Sequence, residues 1–244
     1  MRIPRLYHES RLHSGDVVSL HQQAVHYVLH VLRLKKNAEL ILFNGRGGEF
    51  TARIIDIERH KVLVKIDQFL SKGSESPLEI TLLHAIAKGE RMDWVMQKST
   101  ELGARKIIPI ITNRCNIRFN RDNRSKKQAH WQAIVNHACE QCGRNRIPVV
   151  TMPIDFSEAV TTDQAELKLV LHHQATEKIS RLQTSEQPKR ISLLIGSEGG
   201  LNATEIDLAR QHHYRAVQFG CRILRTETAA LTALACLQLR WGDF

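Results

Sequence analysis

The stretch that decides the fold is Gly196-Ser197-Glu198-Gly199-Gly200, followed about twenty residues later by Phe219-Gly220-Cys221-Arg222-Ile223-Leu224-Arg225-Thr226-Glu227-Thr228-Ala229. Each string follows a short apolar run, at residues 191–195 and 216–219, and leads into a stretch of helical character. Strands that alternate with helices indicate a mainly parallel sheet, and such sheets bind ligands beyond the carboxyl ends of their strands. The two strings are therefore predicted to form two walls of one ligand site.

The same alternation extends upstream, where strand-like runs lie at residues 80–87, 106–111 and 167–172. Residues 71–77 are polar, small and proline-terminated, which is typical of a linker. Residues 1–70, which precede this linker, are predicted to form a β-domain that also contains a short helix at residues 26–34. Its strands are expected at residues 39–43, 49–57 and 61–69. Asn44-Gly45 between the first two is a strong hairpin signal. We predict two domains, residues 1–72 and residues 73–244.

Charge and composition restrict the function. The 244 residues contain 35 Lys and Arg against 25 Asp and Glu, a formal net charge of +10, which favours a polyanionic partner such as nucleic acid. No apolar run is long enough to span a bilayer, and the first residues lack the apolar stretch of a signal peptide, so we expect a cytoplasmic protein. The five cysteines do not suggest a disulfide framework. Cys139 and Cys142 lie in an apparent helix, where packing explains them better than a metal site, and no metal is predicted.

Several common motifs resemble the first string but differ from it in spacing or in one residue. The spacing is not G-x-G-x-x-G and has no P-loop lysine, so neither a dinucleotide nor a nucleoside triphosphate is indicated. A hydrolase nucleophile elbow around Ser197 would need glycine in place of Ile195. A tight turn followed by the helix cap Asn202 explains the first string alone equally well.

Several motifs together resemble one family. The two strings are similar to the cofactor-binding end of the SPOUT methyltransferases, and more narrowly of the RsmE family, which methylates N3 of a uridine in 16S ribosomal RNA. Residues 1–5, 42–45 and 47–50 resemble the amino-terminal PUA-like RNA-binding domain of that family, and residues 91–103 and 140–144 also fit its pattern. The chain departs from the family at Ser197, where proline is common, and at Asn113-Arg114-Cys115, where Glu-Arg-Ser is frequent.

The resemblance implies an α/β SPOUT domain with a deep trefoil knot, preceded by a PUA-like β-barrel. It also implies S-adenosylmethionine as cofactor, 16S rRNA or the small ribosomal subunit as substrate, and a homodimer formed through a helix at residues 226–239. Small and apolar residues of that stretch, such as Ala230 and Leu234, suit such packing, although a buried intramolecular helix explains them as well. The predicted cofactor-binding residues are Leu171, His172, Gly196, Glu198, Gly199, Gly200, Phe219, Gly220, Ile223, Leu224 and Arg225.

The expected chemistry requires removal of the N3 proton of uridine and stabilisation of the charge that results. Arg225 is the predicted catalytic cation, Glu227 is predicted to orient it or the base, and Glu198 is an alternative proton acceptor. A structural Arg–Glu pair is the competing explanation. Other functions left open are a non-catalytic PUA-type RNA-binding protein, a hydrolase based on Ser197, and a pseudouridine synthase, for which no convincing catalytic aspartate is present.

The predicted RNA contacts are two groups of basic residues. For any one of these residues, a solvent-exposed charge without a function is the simpler explanation. The first group is Arg2, Arg5, Arg33, Lys35, Lys36 and Arg46. The second is Arg114, Arg118, Arg121, Arg124, Lys126 and Lys127.

Overall fold

The computed structural model describes residues 3–115 and 121–244, except for the side chains of residues 121 and 122. The chain divides into two compact units. The first comprises Met1–Glu75 and Cys139–Ile147, and the second comprises Ser76–Ala138 and Pro148–Phe244. The predicted division at residue 72 assigned residues 139–147 to the second domain, whereas in the structure they belong to the first unit. Within the described residues, no helix is both long and apolar enough to cross a bilayer.

The first unit is built on a five-stranded mixed sheet with the strand order β1-β3-β4-β5-β2. Strand β1 pairs with β3 in parallel and the other pairings are antiparallel. The strands are β1 Arg5–Tyr7, β2 Val17–Ser19, β3 Glu39–Phe43, β4 Glu49–Glu58 and β5 Lys61–Leu70. Alternating residues of β4 and β5, among them Ile54, Val64 and Ile66, are fully buried and form the core.

The helix of the first unit begins earlier than predicted. Helix α1 spans Gln22–His26 and passes directly into a π-helical turn, Tyr27–Val31. The prediction of a helix at residues 26–34 was therefore wrong at both ends. The His21 ring nitrogen accepts a hydrogen bond from the Ala24 N–H and caps the first turn, a role that is more usual for serine, threonine, aspartate or asparagine.

The second unit is an α/β fold around one sheet with the order β11-β13-β10-β12-β6-β7-β8, with β9 also beside β7. All its strand pairings are parallel. The elements are β6 Glu79–Ala85, α2 Glu90–Glu101, β7 Ala104–Ile111, α3 Arg121–Cys142, β8 Val149–Val150, β9 Ile154–Asp155, α4 Phe156–Thr161, β10 Leu167–Leu171, β11 Glu177–Lys178, β12 Arg190–Ile195, α5 Ala203–Gln211, β13 Arg215–Gln218 and α6 Thr226–Trp241. The central strands are buried on both faces, which explains their continuous apolar runs.

Candidate functional site

The site lies at the carboxyl edge of the parallel sheet. Strands β13, β10 and β12 are neighbours, and they end at Gln218, Leu171 and Ile195. The loops that follow them therefore meet at one edge, as expected for this class of sheet. They enclose a cavity of about 580 Å³, a volume in the range of small-molecule sites.

The cavity brings together all the residues predicted to bind the cofactor. Its lining includes Leu171, His172, Gly196, Glu198, Gly199, Gly200, Phe219, Gly220, Ile223, Leu224 and Arg225. It also includes Arg91, His173, Gln218 and Arg222, which the sequence analysis did not select. The geometry therefore places the two strings on one cavity.

The first string forms a tight turn. The Gly200 N–H donates to the Ser197 carbonyl at 2.8 Å, and the buried Ser197 hydroxyl donates to the Gly200 carbonyl at 3.3 Å. A Cβ atom on Gly196 would lie 3.1 Å from backbone atoms of both Gly200 and Leu201. A larger residue at position 196 would push the turn open by a few tenths of an ångström, because the chain folds back on itself here. The Ser197 hydroxyl closes this turn, which argues against a role as a nucleophile.

Two neighbouring elements hold this turn in place. Asn202 and Glu205 form a capping box at the start of α5, and Glu205 also accepts a hydrogen bond from the Asn113 N–H at 2.8 Å. The next residue, Arg114, donates to the Gly199 carbonyl and lies against the Gly199 backbone. Arg114, predicted as an RNA contact, is therefore part of the cavity wall.

His172 presents an unpartnered nitrogen at the cavity. Its Nδ1 atom is buried and has no hydrogen-bond partner among the described residues. Burial lowers the pKa of His172 below its usual value, and His173 and Arg210 lower it further. The ring is therefore neutral at neutral pH and can exchange a hydrogen bond with a polar group of a ligand.

Comparison with known proteins decides the family. Residues 74–238 match the model of the RNA methyltransferase domain, and residues 21–67 match that of the RNA methyltransferase PUA domain. A ribosomal RNA small subunit methyltransferase E from Buchnera aphidicola subsp. Schizaphis graminum is 39% identical over 99% of this chain and 98% of its own length. The chain belongs to the ribosomal RNA small subunit methyltransferase E family. The family predicted from the sequence is confirmed.

Solved structures agree with this family assignment. A methyltransferase from Legionella pneumophila, in complex with the bound cofactor SAM, is 41% identical, with a TM-score of 0.96 over 100% of both chains. A ribosomal RNA small subunit methyltransferase E from Neisseria gonorrhoeae, bound to S-adenosyl methionine, is 39% identical, with a TM-score of 0.92 over 100% of both chains. The predicted fold class, a parallel α/β domain with an amino-terminal PUA-like domain, is confirmed.

In this member of the methyltransferase E family, Glu198 is held as a carboxylate at the cavity. Arg91 Nη1 lies 3.0 Å from Glu198 Oε1. Partial burial alone would raise the pKa of Glu198, but hydrogen bonds from the backbone N–H groups of Glu198 and Lys88 and from Arg91 lower it below its usual value. A carboxylate with a lowered pKa is a weak base. This argues against Glu198 as the alternative proton acceptor and favours an electrostatic role.

Arg225 and Glu227 differ in their placement. Arg225 lines the cavity, is exposed and precedes helix α6 as its N-cap residue. No carboxylate in the described part of the chain lies within 4.0 Å of its guanidinium, so the competing Arg225–Glu227 ion pair is absent there. Glu227 is half-buried outside the lining, and its carboxylate accepts a hydrogen bond from the Thr226 hydroxyl at 3.3 Å. Of these two residues, only Arg225 lines the cavity.

His84 lies behind the site as a buried neutral residue. It is fully buried in β6, and its ring is 2.7 Å from the Ala85 carbonyl. Burial lowers the pKa of His84, although the backbone of Ala85 and Thr226 and the carboxylates of Glu227 and Glu198 oppose this effect. His84 could not be predicted from the sequence, because a lone histidine in an apolar strand carries no motif.

The residues predicted to contact RNA differ in how exposed they are and in which unit they lie. Arg33, Lys35, Lys36 and Arg46 are exposed on the first unit. The side chain of Arg5 is only 9% exposed and pairs with Glu49, so we no longer propose it as a phosphate contact. Arg2, Arg118 and the side chain of Arg121 lie outside the described residues. Arg124, Lys126 and Lys127 lie on α3.

Proposed function

We propose that this protein transfers a methyl group from S-adenosylmethionine to N3 of a uridine in 16S rRNA of the small ribosomal subunit. The observation that carries the proposal is a cavity of two glycine-containing loops whose wall includes Arg225, an arginine with no carboxylate partner among the described residues. Relatives that cover the whole chain and are bound to this cofactor support the assignment. We also propose that the reaction takes place in the cytoplasm, as expected for an rRNA substrate.

The residues of the cavity fit the cofactor. The bare backbone at Gly200 and Gly220, where an added Cβ would meet nothing within 4 Å, allows a ligand to approach closely. The buried, unpartnered Nδ1 of His172 offers a hydrogen bond to a polar group such as an adenosine atom. The Glu198 carboxylate supplies negative charge for a cationic ligand. We assign to this cofactor the eleven lining residues predicted from the sequence.

When bound, S-adenosylmethionine supplies an electrophilic methyl group on a sulfonium. The N3 atom of uridine carries a proton that passes to solvent water before or during attack, and negative charge develops on the base as this proton leaves. Arg225 is exposed, and no carboxylate of the described residues pairs with its guanidinium, which can therefore stabilise that charge. Glu227, at the first turn of α6, remains a prediction as the residue that orients Arg225 or the base.

Calorimetry with S-adenosylmethionine distinguishes this function from its competitors. We expect a saturable binding isotherm with one site per chain, because the cavity is complete within the second unit. A PUA-type RNA-binding protein without catalysis, or a hydrolase based on Ser197, would give no binding heat. The same titration with adenosine triphosphate serves as a control, since the cavity has no phosphate-binding lysine loop.

We also propose that two copies pair through α6. Within the chain, one face of this helix is already buried, at Ala230, Ala233, Leu234 and Leu237. These residues therefore do not form the dimer contact. The opposite face carries Leu231, Ala235 and Leu239, spaced four residues apart, and Leu239 is 72% exposed. A second copy presenting the same stripe would cover it. The trefoil knot remains a prediction.

Replacing Leu239 with Glu is expected to convert the dimer to a monomer, because a charge would be buried in the contact. Light scattering would show a mass of twice 27.9 kDa for the unmodified protein and 27.9 kDa for the variant. Val149→Glu, at another apolar residue that is 58% exposed, is the matched control and should remain dimeric. A monomeric unmodified protein would contradict the proposal.

A further inference from the structure

Two exposed arginines from distant parts of the sequence meet on the surface of the first unit. Arg46 lies in the turn between β3 and β4, and Arg146 lies in the segment 139–147, which returns to this unit. They form an antiparallel β-bridge, and the Gly47 N–H donates to the Asn145 carbonyl at 3.1 Å. The Arg146 side chain lies across Gly47, since a Cβ there would be 3.4 Å from Arg146 Nε.

A buried polar network fixes the backbone beneath these arginines. Arg5 pairs with Glu49, and its Nη2 donates to Asn145 Oδ1 at 2.6 Å. Asn145 is 1% exposed, and its amide donates to the Lys72 carbonyl at 2.8 Å. These hydrogen bonds tie Asn145 to Arg5 and to the Lys72 backbone, although Arg5 Nε itself is buried without a hydrogen-bond partner among the described residues. The backbone at Arg46 and Arg146 is therefore held in place by the fold of the first unit.

The same network leaves both surface charges without a partner. Glu49 already has Arg5, and Glu75 accepts from Arg144 Nη2 at 2.8 Å and from the Arg146 backbone N–H at 3.1 Å. Throughout the described residues, no carboxylate lies within 4.0 Å of the guanidinium of Arg46 or Arg146. Like charges directly opposite each other on paired strands are destabilising. An anion between them removes that repulsion.

We propose that Arg46 and Arg146 form a phosphate-binding surface that holds the RNA backbone, a role that rests on the function proposed above. Two guanidinium groups suit a phosphodiester because each can donate two parallel hydrogen bonds. Tyr7 pairs with Phe43, three residues before Arg46 in the chain, and is half-exposed, so part of its ring is available to stack on a base.

Fluorescence anisotropy with a 16S rRNA fragment at several salt concentrations tests the surface. Each of Arg46→Gln and Arg146→Gln should weaken binding and lower the slope of log affinity against log salt by about one, and the double variant by about two. Arg59→Gln is the matched control: Arg59 is exposed in the same unit but lies past the far end of β4, about 30 Å away along the strand. It should bind like the unmodified protein.

Two results would contradict the proposal that Arg46 and Arg146 bind phosphate. The first is an unchanged slope in the double variant. The second is weakened binding to assembled small subunits with unchanged binding to bare RNA, which would indicate a protein partner. Calorimetry with S-adenosylmethionine on the same variants should match the unmodified protein. Failure of the unmodified protein to methylate rRNA would contradict the proposed function without affecting the comparison of slopes.

Discussion

The Arg225→Ala variant is expected to lose methyl transfer almost completely while still binding S-adenosylmethionine measurably. Loss of one preorganised group that stabilises developing charge lowers kcat by about 100- to 1,000-fold. Arg225 is the candidate for that group because its guanidinium lines the cavity and has no carboxylate partner among the described residues. Single-turnover transfer to rRNA measures the chemical step, and calorimetry measures cofactor binding separately.

Two further variants make this result specific. Arg225→Lys retains the positive charge and should recover part of the rate, since a point charge still stabilises the base. Arg190→Ala removes an exposed arginine at the opposite end of β12, where it pairs with Glu166 at 3.2 Å, and should retain full activity. Normal turnover by Arg225→Ala would leave Arg225 with no catalytic role.

The Gly196→Ala variant is expected to bind S-adenosylmethionine about 5- to 150-fold more weakly. The added methyl group would lie 3.1 Å from backbone atoms of Gly200 and Leu201, so the turn has to open. Forcing a methyl group into such a contact costs about 1–3 kcal/mol, and about 1.4 kcal/mol corresponds to a tenfold change in affinity. Calorimetric titration of the variant measures this change directly.

Gly73→Ala is the matched control for this substitution. An added Cβ at Gly73 would meet nothing within 4 Å, and Gly73 lies outside the cavity lining. Its cofactor affinity should equal that of the unmodified protein. Equal affinities for Gly196→Ala and Gly73→Ala would show that the tight turn does not shape the cofactor site.

The longer strands could be predicted from the sequence because burial leaves a clear pattern. The predicted strand at residues 39–43 coincides with β3, and the run at residues 191–195 differs from β12 by one residue. The strands that were missed, such as β8 and β11, have two or three residues. Such a length is too short for alternation to be recognised. The π-helical turn of the first unit likewise has no periodic signal.

The candidate site could be predicted as two loops but not as a set of contacts. Glycine and charged residues at the ends of apolar runs indicated the cavity. Arg91 reaches Glu198 from another element, and Arg114 reaches Gly199 from the loop after β7. Long-range pairs of this kind depend on tertiary packing, which local patterns do not encode. Arg5 was misjudged for the same reason, because its partners Glu49 and Asn145 are distant in sequence.

The central claim is that the reaction modifies N3 of a uridine, and mapping the product tests it most directly. The protein is incubated with S-adenosylmethionine and 16S rRNA from a strain that lacks this enzyme, in parallel as free RNA and as assembled subunits. Nuclease digestion and mass spectrometry should then find 3-methyluridine at one position, which also blocks primer extension. A methyl group on another nucleotide or another atom, or no methyl group despite bound cofactor, would contradict the account.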